Sequence, residues 1–277
     1  MKTFQDRIAV ITGGASGIGL GMAHAFAARG MHILLADLHE DALDAAVESV
    51  RSHGVNVAGQ TCNVADRDSV QALAERAVAE FGAVHVLCNN AGIGLPSPVR
   101  NIKLSDWKWM IDVDLWGPIY GIEAFLPIIE AQEEGHVCST SSMAGLIASG
   151  PLGAYNVAKH GVVALMASLE RELRQAKSNV TASVLCPGPI KTNISFNSVR
   201  FRPGGKKPST DGARSGDQAK GIQKILEEQG MDPREVGELV AHAIENDKFW
   251  ILTHPRWAKG VQKQVEAMRE DQTLTRG

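Results

Sequence analysis

The sequence predicts an α/β fold: one doubly wound parallel sheet of about seven strands with helices on both faces. Three observations carry this. Short β-branched apolar runs alternate with segments of helical periodicity. The first run, Ile8 to Thr12, passes through Gly13-Gly14-Ala15-Ser16-Gly17-Ile18-Gly19 directly into a helical pattern. No repeat and no low-complexity linker interrupts the alternation before residue 192. A length of 277 residues allows one domain or two. We read 1–277 as a single domain, with a substrate lid at 193–230 and a C-terminal helical extension at 255–277.

The elements follow in order. After the glycine turn a helix runs to Arg29-Gly30, and His32 to Ala36 is the second strand, ended by Asp37. Glu40 to His53 reads as a helix and Val55 to Cys62 as a strand ending at Asn63-Val64. Asp66 caps a helix that stops near Phe81-Gly82. Val84 to Cys88 is a strand, followed by Asn89-Asn90-Ala91-Gly92. Leu104 to about Gln132 reads as one long helix containing Pro118 and Pro127. Proline has no N–H, so Pro118 should kink this helix and free the carbonyl of Asp114, as Pro127 frees that of Glu123. A kink that only shapes packing is the alternative. His136 to Ser139 and Val180 to Cys186 are strands, ended by Thr140-Ser141-Ser142 and by Pro187-Gly188-Pro189-Ile190-Lys191-Thr192. Between them a long helix carries Tyr155 and Lys159. From Asn193 to about Gln229 the pattern breaks, with Arg200, Arg202, Lys206, Lys207 and Arg214 among Gly, Pro and Ser. We read a lid, with Phe196, Val199 and Phe201 as its apolar contacts; a solvated surface excursion is the alternative. Glu235 to Glu245 is a helix, Phe249 to Leu252 the last strand, and Trp257 to Arg269 a charged helix.

Composition excludes several classes. Hydrophobic residues make up 44% and charged residues 21%, which suits a folded globular chain. A net charge of -3 gives no electrostatic case for nucleic acid or an anionic membrane. No apolar run reaches membrane-span length, and Met1 to Arg7 has no signal-peptide core. Cys62, Cys88, Cys138 and Cys186 form no C-x-x-C pair, so they read as reduced core residues of a cytoplasmic protein, with no metal site.

The chemistry lies in four stretches. A glycine turn between strand and helix lets the backbone approach a pyrophosphate, and the helix N-terminus offers free N–H groups. Asp37 lies at the distance where an acidic residue binds the adenosine ribose hydroxyls. Its carboxylate would repel a 2′-phosphate, and the glycine loop has no Arg or Lys to bind one; both favour NAD over NADP. Tyr155 and Lys159 are four apart, hence on one helix face. An ammonium beside a phenol favours the phenolate, which makes Tyr155 a candidate general acid or base. An amphipathic helix that merely carries the two is the other reading. Ser142, at the end of a strand, can meet Tyr155 at the carboxyl edge of the sheet.

These pieces, in this order and at this spacing, resemble the short-chain dehydrogenase/reductase family over roughly residues 4 to 192, within the Rossmann-type folds. The matching pieces are the 12–19 glycine loop, Asp37, Asn63-Val64, Asn89-Asn90-Ala91-Gly92, Ser142, Tyr155-x-x-x-Lys159 and Pro187-Gly188…Thr192. The resemblance implies an enzyme in which Tyr155 exchanges a proton with the substrate oxygen as a hydride moves to or from the nicotinamide. Ser142 would hydrogen-bond that oxygen; Lys159 would bind the nicotinamide ribose and lower the Tyr155 pKa. The cofactor would contact Gly13, Ser16, Gly17, Ile18, Gly19, Asp37, Asn63, Val64, Asn90, Ala91, Gly92, Tyr155, Lys159, Pro187, Gly188, Ile190 and Thr192.

Two departures stand out. Asn63 replaces a frequent Asp, with little expected effect. Asp114 occupies the place of the asparagine that completes the family's catalytic tetrad. A carboxylate there would favour the Lys159 ammonium and weaken its pull on Tyr155; the main-chain oxygen freed by Pro118 would then hold the relay water. The tail, Trp250 to Pro255 and a charged helix, replaces the family's glycine-rich ending and resembles a subgroup with aryl-ether benzylic alcohol dehydrogenases. Apolar Gly94, Leu95, Met143, Leu146, Pro189 and Phe196 imply a hydrophobic secondary alcohol or ketone as substrate. The helix faces bearing Trp107, Trp109, Trp116, Tyr120 and Tyr155 resemble the family's assembly surfaces and imply a homotetramer or homodimer. An NAD-binding sensor or scaffold that has lost catalysis is the rival, resting on Asp114. An epimerase or dehydratase is a third reading, against which the chain lacks a separate substrate domain.

Overall fold

The computed structural model describes residues 1–96, 98–203, 220–221, 223–272 and 274. Seven strands form one parallel sheet: β1 (Ile8–Thr12), β2 (His32–Asp37), β3 (Val57–Thr61), β4 (Val86–Asn89), β5 (Gly135–Thr140), β6 (Val180–Cys186) and β7 (Trp250–Leu252). Their order is β3-β2-β1-β4-β5-β6-β7. The winding reverses between β1 and β4, and a crevice opens there at the carboxyl ends of the strands. The register aligns those ends, with Ile11 opposite Cys88 and Asn89 opposite Ser139.

Side-chain alternation along the strands sends residues to two cores. Ile11, Ile33, Leu35 and Cys88 pack against helices α1 (Gly17–Ala27) and α2 (Glu40–Arg51). Val10, Leu34, Leu87, Val137 and Val184 pack on the other face, against α3 (Arg67–Phe81), α5 (Gly117–Glu130) and α6 (Gly153–Ala176). Phe26 and Phe125 are fully buried, one in each core; each contributes about 1.5–3 kcal/mol of apolar transfer. Helix α8 (Pro233–Glu245) lies on α1 with backbones almost in contact. A Cβ on Gly21 would come 2.1 Å from Pro233 O, and one on Gly237 2.2 Å from Gly21 O. All four cysteines are buried and free. Among the described residues no helix is long and apolar enough to cross a membrane.

Helix α3 starts and stops where its sequence dictates. The Asp66 carboxylate accepts the Asp68 N–H at 3.1 Å, and Gly82 ends it in the left-handed conformation. The long helix expected over 104–132 is instead interrupted. Helix α4 (Leu104–Ile111) passes into a π-helical segment, Asp112–Trp116, before α5 begins. The Gly117 N–H reaches back five residues to Asp112 O. One wide turn thus stands immediately before Pro118, whose missing N–H rules out a regular ladder there.

The lid reading is corrected in detail. Helix α7 (Ile194–Arg200) buries Ser195 and Ser198, while Phe196 and Val199 are exposed. Helical periodicity decides this: the face holding Ser198 meets Gly94, whose N–H donates to Ser198 Oγ at 2.8 Å. Of the three expected apolar contacts, Phe201 alone finds a partner ring, His39 at 6.2 Å. Lys206, Lys207 and Arg214 lie outside the described residues. Helix α9 (Ala258–Glu270) follows the last strand.

His136 is buried in β5 with its ring between Thr181 Oγ1 and Ser183 Oγ, each at 2.8 Å. Burial, with the N-terminal ammonium adding to it, lowers its pKa from 6.5 to about 3. The unfolded chain therefore binds the proton first, so stability falls as pH drops from 6.5 toward about 3. The slope from this residue is about 1.4 kcal/mol per pH unit. Urea midpoints measured across that window should show His136→Asn losing this part of the acid sensitivity.

Candidate active site

A cavity of about 590 Å³ lies over the carboxyl ends of the strands at the winding reversal. One end is built from the β1–α1 turn. Gly13 and Gly17 have φ of 64° and 52°, a region that disfavours side chains. A Cβ on Gly17 would sit 2.9 Å from Thr192 Cγ2, so glycine lets the two walls close on each other. Ser16 begins α1 without a side-chain cap bond, leaving first-turn N–H groups for an anion. Asp37 closes this end. Its carboxylate is held by the Ala15 N–H at 3.1 Å and the His39 N–H at 3.3 Å.

Strands β1, β4 and β5 are tied together beneath the cavity. Thr12 Oγ1 accepts the N–H groups of Asn90 (2.9 Å) and Ala91 (3.1 Å). The Asn90 amide donates to Thr12 O at 3.0 Å, and its oxygen accepts from Thr140 Oγ1 at 3.1 Å. Asn90 is therefore a strap between strand ends as well as part of the lining. Thr12 was not singled out from sequence, although a threonine closing the first strand is visible there.

The other end holds the ionisable cluster. Tyr155 and Lys159 share a face of α6, with Lys159 Nζ 5.5 Å from the Tyr155 ring centre. Ser142 lies close enough to the Tyr155 phenol to pull its pKa down, and its hydroxyl accepts the Ala144 N–H at 3.1 Å. Ser141 Oγ donates to Lys159 O at 2.8 Å, which pins the helix to the end of β5. Lys159 Nζ donates to Thr140 O at 3.2 Å and pairs with Asp114 Oδ1 at 3.4 Å. Asp114 projects from the π segment, fully buried. Its Oδ1 accepts the Ile93 N–H at 2.9 Å, and its Oδ2 has no hydrogen-bond partner.

Burial and charge compete here. Burial raises the Asp114 pKa, against the pull of Lys159 and the Ile93 N–H. Burial alone would lower Lys159, but Asp114, with Tyr155, outweighs it and holds the ammonium above its ordinary value. The expectation that Lys159 leaves Tyr155 with a lowered pKa is corrected. Burial raises the phenol most, Lys159 opposes, and Asp114 adds to the rise, so the net shift is upward. Lys159 does pull toward the phenolate, and the carboxylate weakens that pull, as the sequence suggested.

The cavity gathers Gly13, Ser16, Gly17, Ile18, Asp37, Asn63, Val64, Asn90, Ala91, Gly92, Tyr155, Lys159, Pro187 and Thr192 into one lining. The other expected residues stand behind it. A Cβ on Gly19 would lie 2.2 Å from Gly13 O, so this glycine serves helix–turn packing. Ile190 is buried and bridges to Met231, and Gly188 packs on His254. Asp114, paired with Lys159, and Ser142, beside Tyr155, also lie outside the lining itself. Of the remaining lining, Phe201 was expected as a lid contact and Trp109 on an assembly face, whereas Ser105, Lys108, Asp112 and Asn197 were missed. No local pattern marks them, because α4 and the lid meet only in the folded chain. Arg202 Nε donates to Asp106 Oδ1 at 2.9 Å and joins the two.

Comparison with known proteins gives this geometry its context. A crystal structure of a short-chain dehydrogenase/reductase from Burkholderia phymatum in complex with NAD superposes with a TM-score of 0.94 at 34% identity. The match covers 100% of this chain and 99% of that one. A C alpha-dehydrogenase of a Sphingobium species is 32% identical over 270 residues, 97% of this chain and 87% of that protein. A CLA biosynthesis dehydrogenase/reductase of Lactiplantibacillus plantarum is 29% identical, covering 98% of this chain and 96% of its own. Residues 7–202 match the short chain dehydrogenase family, and the chain belongs to the short-chain dehydrogenase/reductase family of oxidoreductases.

Proposed function

We propose that the protein is an NAD-dependent dehydrogenase that interconverts a hydrophobic secondary alcohol and its ketone, with Tyr155 as general acid/base. The observation that carries this is the single cavity joining Tyr155 and Lys159 to the Gly13–Ile18 turn and Asp37. The residues fit a dinucleotide: left-handed glycines, an uncapped helix start and a held carboxylate line the groove. Gly13 to Ile18 would bind the pyrophosphate, Asp37 the adenosine ribose, Asn63 and Val64 the adenine, and Pro187 and Thr192 the nicotinamide side. When bound, the nicotinamide supplies the hydride acceptor. Tyr155 takes the hydroxyl proton of the alcohol, Ser142 orients that oxygen, and Lys159 stabilises the phenolate. Ile93 and Ile194 give the same lining apolar surface, while Met143, expected beside the substrate, is buried in the core. Similarity to a C alpha-dehydrogenase over nearly the whole chain supports the dehydrogenase reading.

NADH formation over a panel of secondary alcohols, with NADP in parallel, tests the reading. Turnover with NAD is expected. Preference for NADP would overturn the role of Asp37. Tight NADH binding with no turnover on any alcohol would favour the sensor reading, which Asp114 supports. A sedimentation profile gives the assembly; we propose a homotetramer or homodimer through the face where Trp116 stacks on Tyr120 at 5.5 Å.

Asp114 is a positioning residue in this scheme, and the main-chain oxygen beside Pro118 is proposed to hold a relay water. Asp114→Asn removes the charge that raises Tyr155. The rising, phenolate-dependent limb of the kcat/KM pH profile should therefore move to lower pH. Should kcat itself rise by about a hundredfold, the carboxylate impairs this member and the relay assignment is wrong.

A further inference from the structure

The tail after β7 reaches the loop that follows β6. Leu252 is paired with Cys186 in the sheet, so the next residues of the two strands, Thr253 and Pro187-Gly188, leave it side by side. The Gly188 N–H donates to Thr253 Oγ1 at 2.9 Å, and Thr253 is 5% exposed. Thr253 Oγ1 also exchanges a hydrogen bond with His254 Nδ1 at 2.8 Å. A threonine hydroxyl has two lone pairs and one proton, so it can accept from Gly188 and still bond the imidazole. The His254 ring packs against Gly188, where a Cβ would come 2.6 Å from Nδ1 and 2.9 Å from Cγ. Trp257 backs that ring at 5.5 Å between centres.

The loop so held has two working sides. Pro187 lines the cavity, and its carbonyl accepts the Met143 N–H at 2.9 Å, next to Ser142. Further along, Lys191 donates to Met231 O and Met231 donates to Pro189 O, each at 3.0 Å. Thr192, also in the lining, has its carbonyl held by Gln223 at 3.1 Å. Met231 and Gln223 fix the far half of the loop, and among the described residues the Gly188 N–H bonds the tail.

We infer that Thr253 and His254 are positioning residues for the Pro187–Thr192 wall, and that through it the tail sets cofactor affinity. This rests on the proposal that the groove binds NAD, but it is tested separately. Thr253→Val keeps the branched shape and leaves the half-buried Gly188 N–H without its acceptor. It should speed hydrogen exchange at Gly188 and raise the Kd for NADH about tenfold, with Thr253→Ser returning to within about threefold of wild type. Gly188→Ala drives a methyl into the His254 ring and should also weaken NADH. Adding His254→Ala to it makes room for the methyl and should recover part of the loss, the remainder being the loss of the His254 support itself.

Wild-type Kd and wild-type exchange in Thr253→Val would overturn the inference. So would a double variant that binds NADH no better than Gly188→Ala alone. Should Thr253→Val fail to fold, the Gly188 and His254 pair decides. Wild type that binds no NADH would overturn the cofactor reading, and exchange at Gly188 would then decide whether Thr253 holds the loop.

Discussion

Tyr155→Phe is expected to lower kcat by about 10²–10⁴-fold while leaving NADH affinity unchanged. The phenylalanine ring fills the same place on α6, so loss of packing contributes little. What goes is the one oxygen at this end of the cavity that meets Ser142 and lies under the influence of Lys159. Steady-state turnover beside fluorescence titration of NADH separates the two quantities. Retained turnover would remove Tyr155 from proton transfer and leave the cluster a structural one.

Lys159→Met is expected to cost stability as well as activity. Asp114 is fully buried, and Lys159 is its single ionic partner among the described residues. Removing one partner of a buried pair leaves an uncompensated charge, at about 3–5 kcal/mol. The sign of the pH dependence follows. Burial raises the folded-state pKa of Asp114, so the folded state gains the proton before the unfolded chain does as pH falls. The deficit of the variant should therefore shrink toward acid. Lys159→Met/Asp114→Asn should recover most of the lost Tm, since an amide oxygen still accepts the Ile93 N–H, while activity stays absent. Thermal melts of the three proteins across pH check all of these points. A Lys159→Met protein as stable as wild type would mean that Asp114 is neutral in the native chain.

Much of this was legible before the fold was seen, because it is written in local chemistry. Asp66 and Gly82 mark both ends of α3 by capping alone. The β1–α1 glycines declare the turn, and the four-residue spacing of Tyr155 and Lys159 puts them on one helical face. What was not legible depends on partners distant in the chain. Pro118 announced a broken ladder but not its form, since Asp112 O can bond four or five residues ahead. The upward shift of Tyr155 comes first from burial among segments distant in the chain, which no single segment encodes. Phe196 and Val199 looked like contacts because they are apolar; the docking of Ser198 on Gly94 decided which face of α7 turns inward. The tail was recognised as unusual, but its hold on Gly188 appears only where β6 and β7 lie side by side.

The glycine contact between α1 and α8 has a consequence for the order of events during synthesis. The start of α1, whose first-turn N–H groups are proposed to bind the pyrophosphate, is made early. Its outer support comes later: Gly237 and Pro233 press on Gly21 from a helix beyond the lid. A nascent chain that has not yet emitted residues 233–245 holds α1 by one side only. Nucleotide capture on the ribosome should therefore wait for the last quarter of the chain, and truncation before Pro233 should abolish it even with every cofactor-lining residue already made.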